Sequence, residues 1–317
     1  QGKPQPIFSA VLDASPELFI FLGDNIYGDT EDMDVLRQKW TEFSNDPGIR
    51  RLFAQTHVLA TWDDHDYGEN DAGKEYPKKE QSKQIMLDVF GEPVDSARRK
   101  RPGIYDARSF GPPGRRVQVI LLDTRWFRDP LSRAVDRQAN RGPYIPNPDP
   151  AAALLGPAQW DWLRARLSEP AELRIIVSSI QFVPEDHGWE RWAAFPAERQ
   201  RMLRLLSKTA ATGVIFITGD RHHAEISALT DGTPYPLYDI TSSSLNKPGG
   251  SQRSGEPNRW RIAGDVYTRE NFGLIEIDWS RQPAPGVRLS IRDVNGVAVL
   301  EQQIDLSSLR PSPPPPG

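Results

Sequence analysis

Leu18-Phe19-Ile20-Phe21-Leu22 runs without a polar residue and then stops at Gly23-Asp24-Asn25-Ile26-Tyr27. A short apolar run that ends in a turn signal reads as a strand buried on both faces. The same event recurs along the chain: Val58–Trp62 into Asp63, Val117–Leu122 into Asp123, Ile175–Val177 into Ser178, and Val214–Thr218 into Gly219-Asp220. Helical patterns fill the intervals over Asp32–Phe43, Gln81–Phe90, Gln159–Leu167 and Ala197–Thr209, the third opened by Gly156-Pro157. This alternation predicts α/β layers. After Asp231 the pattern turns to strands alone, at Tyr235–Ile240, Phe272–Asp278, Val287–Val294 and Val297–Ile304. The last two flank Asn295-Gly296, a type I′ hairpin signal. The stretch 245–271 has no periodicity, and a loop of that length predicts a functional rim. Without a composition break or internal repeat, the sequence reads as one domain over 1–308 with a Pro-rich tail at 309–317.

The 317 residues are 38% hydrophobic and carry 12 Phe, 9 Trp and 8 Tyr, enough for a large core and too apolar for a disordered chain. A net charge of -4 provides no basic field for a nucleic-acid backbone. No apolar run approaches the roughly 18 residues of a membrane span. With no cysteine, disulfides, thiolate zinc sites and cysteine nucleophiles are excluded from these residues. The first residues, Gln1 to Pro6, lack an initiator Met and a signal-type pattern, so any targeting segment has been removed or was not included.

Asp24, Asp64-His65, Asp123, Gln181 and Asp220-His222 all follow predicted strand ends. Ligands of open α/β sheets bind there. An Asp after a strand is also a common turn former, so the force of the observation lies in the coincidence of five ends. Tyr27 follows Asp24 by three residues, close enough for both to reach one ion across a turn. Trp62 to Asp71 crowds carboxylates around His65, and either a metal or solvent must compensate them. Asp220 and His222, two apart in an extended segment, would face one way, with His223 turned toward the structure behind.

The strings GDNIYGDT, WDDHDYGEND, LLDTRWFR, SSIQF, WERWAAFPAER and TGDRHHAEIS, spread over residues 19–227, resemble the alkaline phosphatase D (PhoD-like) branch of the calcineurin-like metallophosphoesterases. The resemblance implies a four-layer αββα sandwich and hydrolysis of phosphate monoesters or diesters by a metal-bound hydroxide at a binuclear centre. It implies that Asp24 bridges the two ions and that Tyr27 and His222 hold an Fe(III)-type ion. Asp64, Asp220 and Gln181 would serve a second ion. Their oxygen-rich character favours Ca²⁺, Mg²⁺ or Mn²⁺ over zinc. By the same resemblance His65 is catalytic, with Asp66 fixing its tautomer. Arg125 is a candidate phosphate clamp, or else a structural partner of Asp123. Trp189 to Phe195 would line a substrate groove or fill the core. The expected substrate is a small phosphate ester or diester, and the expected location is periplasmic or extracellular. A nuclease or phospholipase-type diesterase on the same fold, or a non-catalytic metal-binding module, are the alternatives. Family members carry a first strand, ending in a Ser-Cys or Asp turn that supplies a further ligand, ahead of a segment resembling Gln1–Phe8. Either that strand is missing from the sequence before residue 1 or this member is incomplete at that ion.

Overall fold

The computed structural model describes residues 5–136 and 141–311. In chain order, α1 (Ile7–Asp13) leads to β1 (Leu18–Leu22), α2 (Met33–Asn45), α3 (Pro47–Gln55), β2 (His57–Thr61), α4 (Asp64–Tyr67), α5 (Lys79–Val89) and α6 (Ala97–Lys100). Then come β3 (Asp106–Phe110), β4 (Val117–Leu121), α7 (Gly156–Leu167), β5 (Leu173–Ser178), α8 (Pro196–Thr209), β6 (Val214–Thr218), β7 (Ala224–Leu229) and β8 (Leu237–Ser242). The chain closes with β9 (Asn271–Asp278), β10 (Gly286–Asp293) and β11 (Ala298–Asp305).

One sheet has six strands in the order β3-β4-β5-β6-β8-β7 and is parallel at its centre, while β1 pairs with β2 in parallel and β9-β10-β11 form an antiparallel meander. Strand β5 is buried at every position, which is why its sequence does not alternate. Strand β1 separates two cores. Leu18, Ile20 and Leu22 face the cluster shared with the six-stranded sheet, α7, α8 and β10, whereas Phe19 and Phe21 face the cluster under α1, α2, α3 and α5. Helix, sheet, sheet and helix therefore stack as the expected αββα sandwich.

Two local expectations change. The β10–β11 hairpin forms, but among the described residues only Gly296 of its turn takes a positive φ, of 78°. Gly296 N–H donates to Asp293 O at 2.9 Å, the geometry of an ordinary turn followed by a left-handed glycine and a bulge at Ile291/Arg292. The turn is thus not type I′. Leu309, placed with the tail by its sequence, is fully buried, and its carbonyl accepts from Gly213 N–H, so the domain runs at least to it. Residues 312–317 lie outside the described part.

Candidate metal centre

The end of β1 and the end of β2 come together because residue 23 has no side chain: a Cβ on Gly23, at φ +106°, would fall 2.5 Å from Cβ of Asp63. The next residue, Asp24, is itself left-handed at φ 53°, which throws its carboxylate beyond the strand end. There the Tyr27 hydroxyl lies 3.3 Å from Asp24 Oδ2 and 3.0 Å from His222 Nε2. His222 Nε2 is 3.6 Å from the same Asp24 oxygen. Three groups from two distant parts of the chain converge on one point.

The loop carrying His222 is not the extended segment its spacing suggested. Asp220 and His222 adopt φ of 66° and 54°, and Arg221 N–H donates to Gly219 O at 2.8 Å, so the backbone coils between them. Asp220 Oδ2 faces the Arg221 guanidinium at 3.5 Å; burial pushes its carboxyl up to about 7, Arg221 opposing the rise and the charge of Asp64 adding to it. His223 turns inward, fully buried with Nε2 3.5 Å from Glu225.

The carboxylate-rich run after β2 is a buried helical turn rather than a solvated loop. Asp63 caps α4, and Asp64 Oδ1 and Oδ2 accept from His65 N (2.9 Å) and Asp71 N (2.7 Å). Ligand atoms of Asp24, Asp64 and His65 lie within 4.8 Å of one another, as do those of Asp64, Asp71 and Glu190. Asp71 and Glu190 were not singled out in the sequence reading. Glu190 is clamped by Arg125 and Arg128, and Asp71 accepts from the Tyr144 hydroxyl.

His65 has a different carboxylate partner from the one expected. Its Nδ1 is 2.7 Å from Asp29 Oδ1, whereas Asp66 points away and accepts from Asp63 N (2.5 Å), Asn25 N (3.2 Å) and Asn25 Nδ2 (2.5 Å). Burial outweighs those donors and pushes Asp66 up to about 7. Asp66 ties the two ligand-bearing loops together, and the roughly 100° step between successive helical residues turns it away from the His65 ring. Sequence distance hid Asp29, which sits 36 residues from His65.

Arg125 is fully buried and cannot serve as an open clamp: its Nε lies 2.7 Å from Asp63 and its Nη1 2.7 Å from Glu190. Asp123 accepts from the Arg125 backbone N–H and from Trp62 Nε1, both at 2.9 Å, so it is structural as well. Gln181 donates from Nε2 to Glu225 (2.7 Å) and Thr241 (2.8 Å). Trp192 and Phe195 are core residues. The long loop does reach the site, since Lys247 Nζ stands 3.1 Å from the centroid of the Tyr27 ring.

Electrostatically the site holds more negative charge than its neighbours neutralise. Burial raises Asp24 well above the carboxylate range, reinforced by Asp64, Asp63, Asp66 and Asp220, and burial with Asp24 raises the Tyr27 phenol. Burial with Lys247 and Arg253 pushes His222 down to about 4, so its ring is neutral near pH 7 and able to offer a lone pair. Buried Asp24 Oδ1 and Gln181 Oε1 accept no hydrogen bond, and Asp220 Oδ2 has the Arg221 guanidinium at 3.5 Å. Acceptors without donors amid surplus negative charge fit cations, and the donor set of carboxylate, phenol and one imidazole is a hard one.

Comparisons with known proteins bear on the fold and the family. A solved chain described as "Structure of PhoD" superposes with a TM-score of 0.72 over 97% of this chain and 68% of its own, at 17% identity, which bears on the fold. Alkaline phosphatase D of Bacillus subtilis (strain 168) is 25% identical over 211 residues, which are 61% of this chain and 36% of that protein. The chain thus spans about a third of the length of that curated relative. The family model described as PhoD-like phosphatase matches residues 4–283, and the chain belongs to the PhoD-like phosphatase family.

Proposed function

We propose that the chain is a metal-dependent phosphoesterase whose centre takes two ions. The convergence of Tyr27 and His222, 195 residues apart, on Asp24 supports this reading most directly, because burial and charge leave Asp24 Oδ1 without a donor. Asp24, Tyr27 and His222 would hold a hard ion of the Fe(III) type, and Asp64 and Asp220, with Asp24 between, a divalent Ca²⁺, Mg²⁺ or Mn²⁺. Such ions would supply charge neutralisation at the phosphoryl oxygens and would lower the pKa of a nearby water.

The chain's own residues do the rest. His65 lies in one group with Asp24 and Asp64 while Asp29 holds Nδ1, so Nε2 would be left to carry a proton to a leaving-group oxygen. Lys247, across the Tyr27 ring, brings a positive charge to the open side, where a phosphate oxygen would meet it. Arg125, Glu190 and Asp66 fix the loops that carry the ligands. No helix is long and apolar enough to cross a membrane among the described residues. A small phosphate ester is the substrate class that the family supports. Turnover of p-nitrophenyl phosphate and bis-p-nitrophenyl phosphate, before and after chelation and with Fe, Ca²⁺ or Mn²⁺ restored, tests the reading. Turnover that survives complete removal of metal would overturn it.

A further inference from the structure

Glu256 ties the long loop to the metal centre. It is buried and accepts from Nη2 of buried Arg221 at 2.8 and 2.6 Å, and Arg221 stands between Asp220 and His222. Gly249 N–H donates to His222 O at 2.7 Å, which brings an earlier part of the same loop against the same segment. Two cations of that loop stand at the rim as a result. Lys247 Nζ lies over the Tyr27 ring, whose hydroxyl is 3.0 Å from His222 Nε2. Arg253 runs back across Gly249: a Cβ there would fall 2.7 Å from Arg253 Cγ and 3.1 Å from both Arg253 Nε and His222 O. The absent side chain at 249 leaves room for the Arg253 stem beside His222.

Arg221 spends its charge inside, on Glu256 and, at 3.5 Å, on Asp220. Arg253 does not. Its Nη1 meets Glu256 Oε2 only at 3.6 Å, beyond hydrogen-bond distance, and that carboxylate already serves Arg221. The guanidinium lies 4.7 Å from the centroid of the Trp189 ring, which steadies it without supplying an acceptor, and the side chain is 21% exposed. A guanidinium carries five N–H donors, so most of these are left for a ligand. On the phosphoesterase reading, on which this inference rests, we propose that Arg253 takes a second anionic group, carboxylate or phosphate, carried by the organic part of the substrate, while Lys247 meets the reacting phosphoryl group. The fork of an arginine matches either oxyanion with two parallel hydrogen bonds. The rim thereby favours phosphate esters with a further negative charge a few bonds from the ester over esters of plain alcohols or phenols.

Phosphonates keep the head group without an ester bond to hydrolyse, so binding is read without turnover. Isothermal titration of the metal-loaded protein compares the terminally carboxylated phosphonopropionate and phosphonobutyrate with propylphosphonate and butylphosphonate, which end in methyl instead of carboxylate. A carboxylated probe should bind about tenfold more tightly than its methyl counterpart, the low end for a charge-assisted hydrogen bond. Arg253→Gln should remove that difference, and Arg253→Lys should restore part of it. Equal affinity within each pair in the parent, or a preference that survives Arg253→Gln, overturns this inference and leaves the phosphoesterase reading standing. Failure of all the phosphonates to bind would overturn that reading, and this inference with it.

Discussion

Asp29→Asn tests whether the His65–Asp29 contact is part of the chemistry. Asn is chosen because position 29 has φ 47°, which Asn adopts at lower cost than Ala. The pair is short, at 2.7 and 2.9 Å, and hydrogen bonds to a charged group contribute about 1.5–3 kcal/mol. The Asp29 side chain is 40% exposed and that of His65 17%, so solvent screening reduces the figure to about 1 kcal/mol. That corresponds to roughly a fivefold fall in kcat. Loss of the ring in His65→Ala should cost about 10² to 10⁴ in turnover at unchanged metal content. Since Asp29 acts through the ring, Asp29→Asn should do nothing further in the His65→Ala background. Measuring kcat for p-nitrophenyl phosphate in the four proteins of the cycle, with metal content held equal, gives the answer. A full fivefold loss from Asp29→Asn in the absence of His65 would refute the reasoning.

Arg125→Gln should lower stability by about 3–5 kcal/mol in a urea titration, because Asp63 and Glu190 lose a buried counterion, and a folded variant with KM alone raised would restore the clamp reading. Lys247→Ala should raise KM for p-nitrophenyl phosphate several-fold with kcat nearly intact and Lys247→Arg should recover it, whereas unchanged KM would remove Lys247 from the substrate's path. Asp239, buried against Phe182 N, Val183 N and Thr218, is pushed up to about 6 from 3.8 by burial. The fold therefore holds its proton more tightly than the unfolded chain does. The resulting stability is complete below about pH 4 and is lost by about pH 6, a change of about 3 kcal/mol. Asp239→Asn should flatten that slope, and an identical slope in the variant would contradict the assignment.

The strands and long helices were legible because burial on both faces writes continuous apolar runs such as Ile175–Val177, and amphipathic faces write a 3.6-residue period. Helix α3 was missed although Asp46 caps it and Pro47 opens it, since nine residues give little periodicity to read. Strands β3 and β7 were missed because charged and small residues stand in them, as in Asp106–Phe110. The site shows the same division. Asp24, Tyr27, Asp64, Asp220 and His222 stand at strand ends, where sequence order gives their position. Side-chain partnerships depend on three-dimensional approach, so the Asp29–His65 contact and the burial of Arg125 against Asp63 could not be read along the chain.

If Asp24 serves both ions of one centre, its loss should empty that centre. Elemental analysis of the protein after equilibration with Fe, Ca²⁺ and Mn²⁺ and removal of the excess, set beside Asp24→Ala treated in the same way, addresses it most directly. About two ions per chain are expected in the parent and fewer than one in the variant, with both proteins folded. A parent that retains no ion, or a variant that retains both, would contradict it.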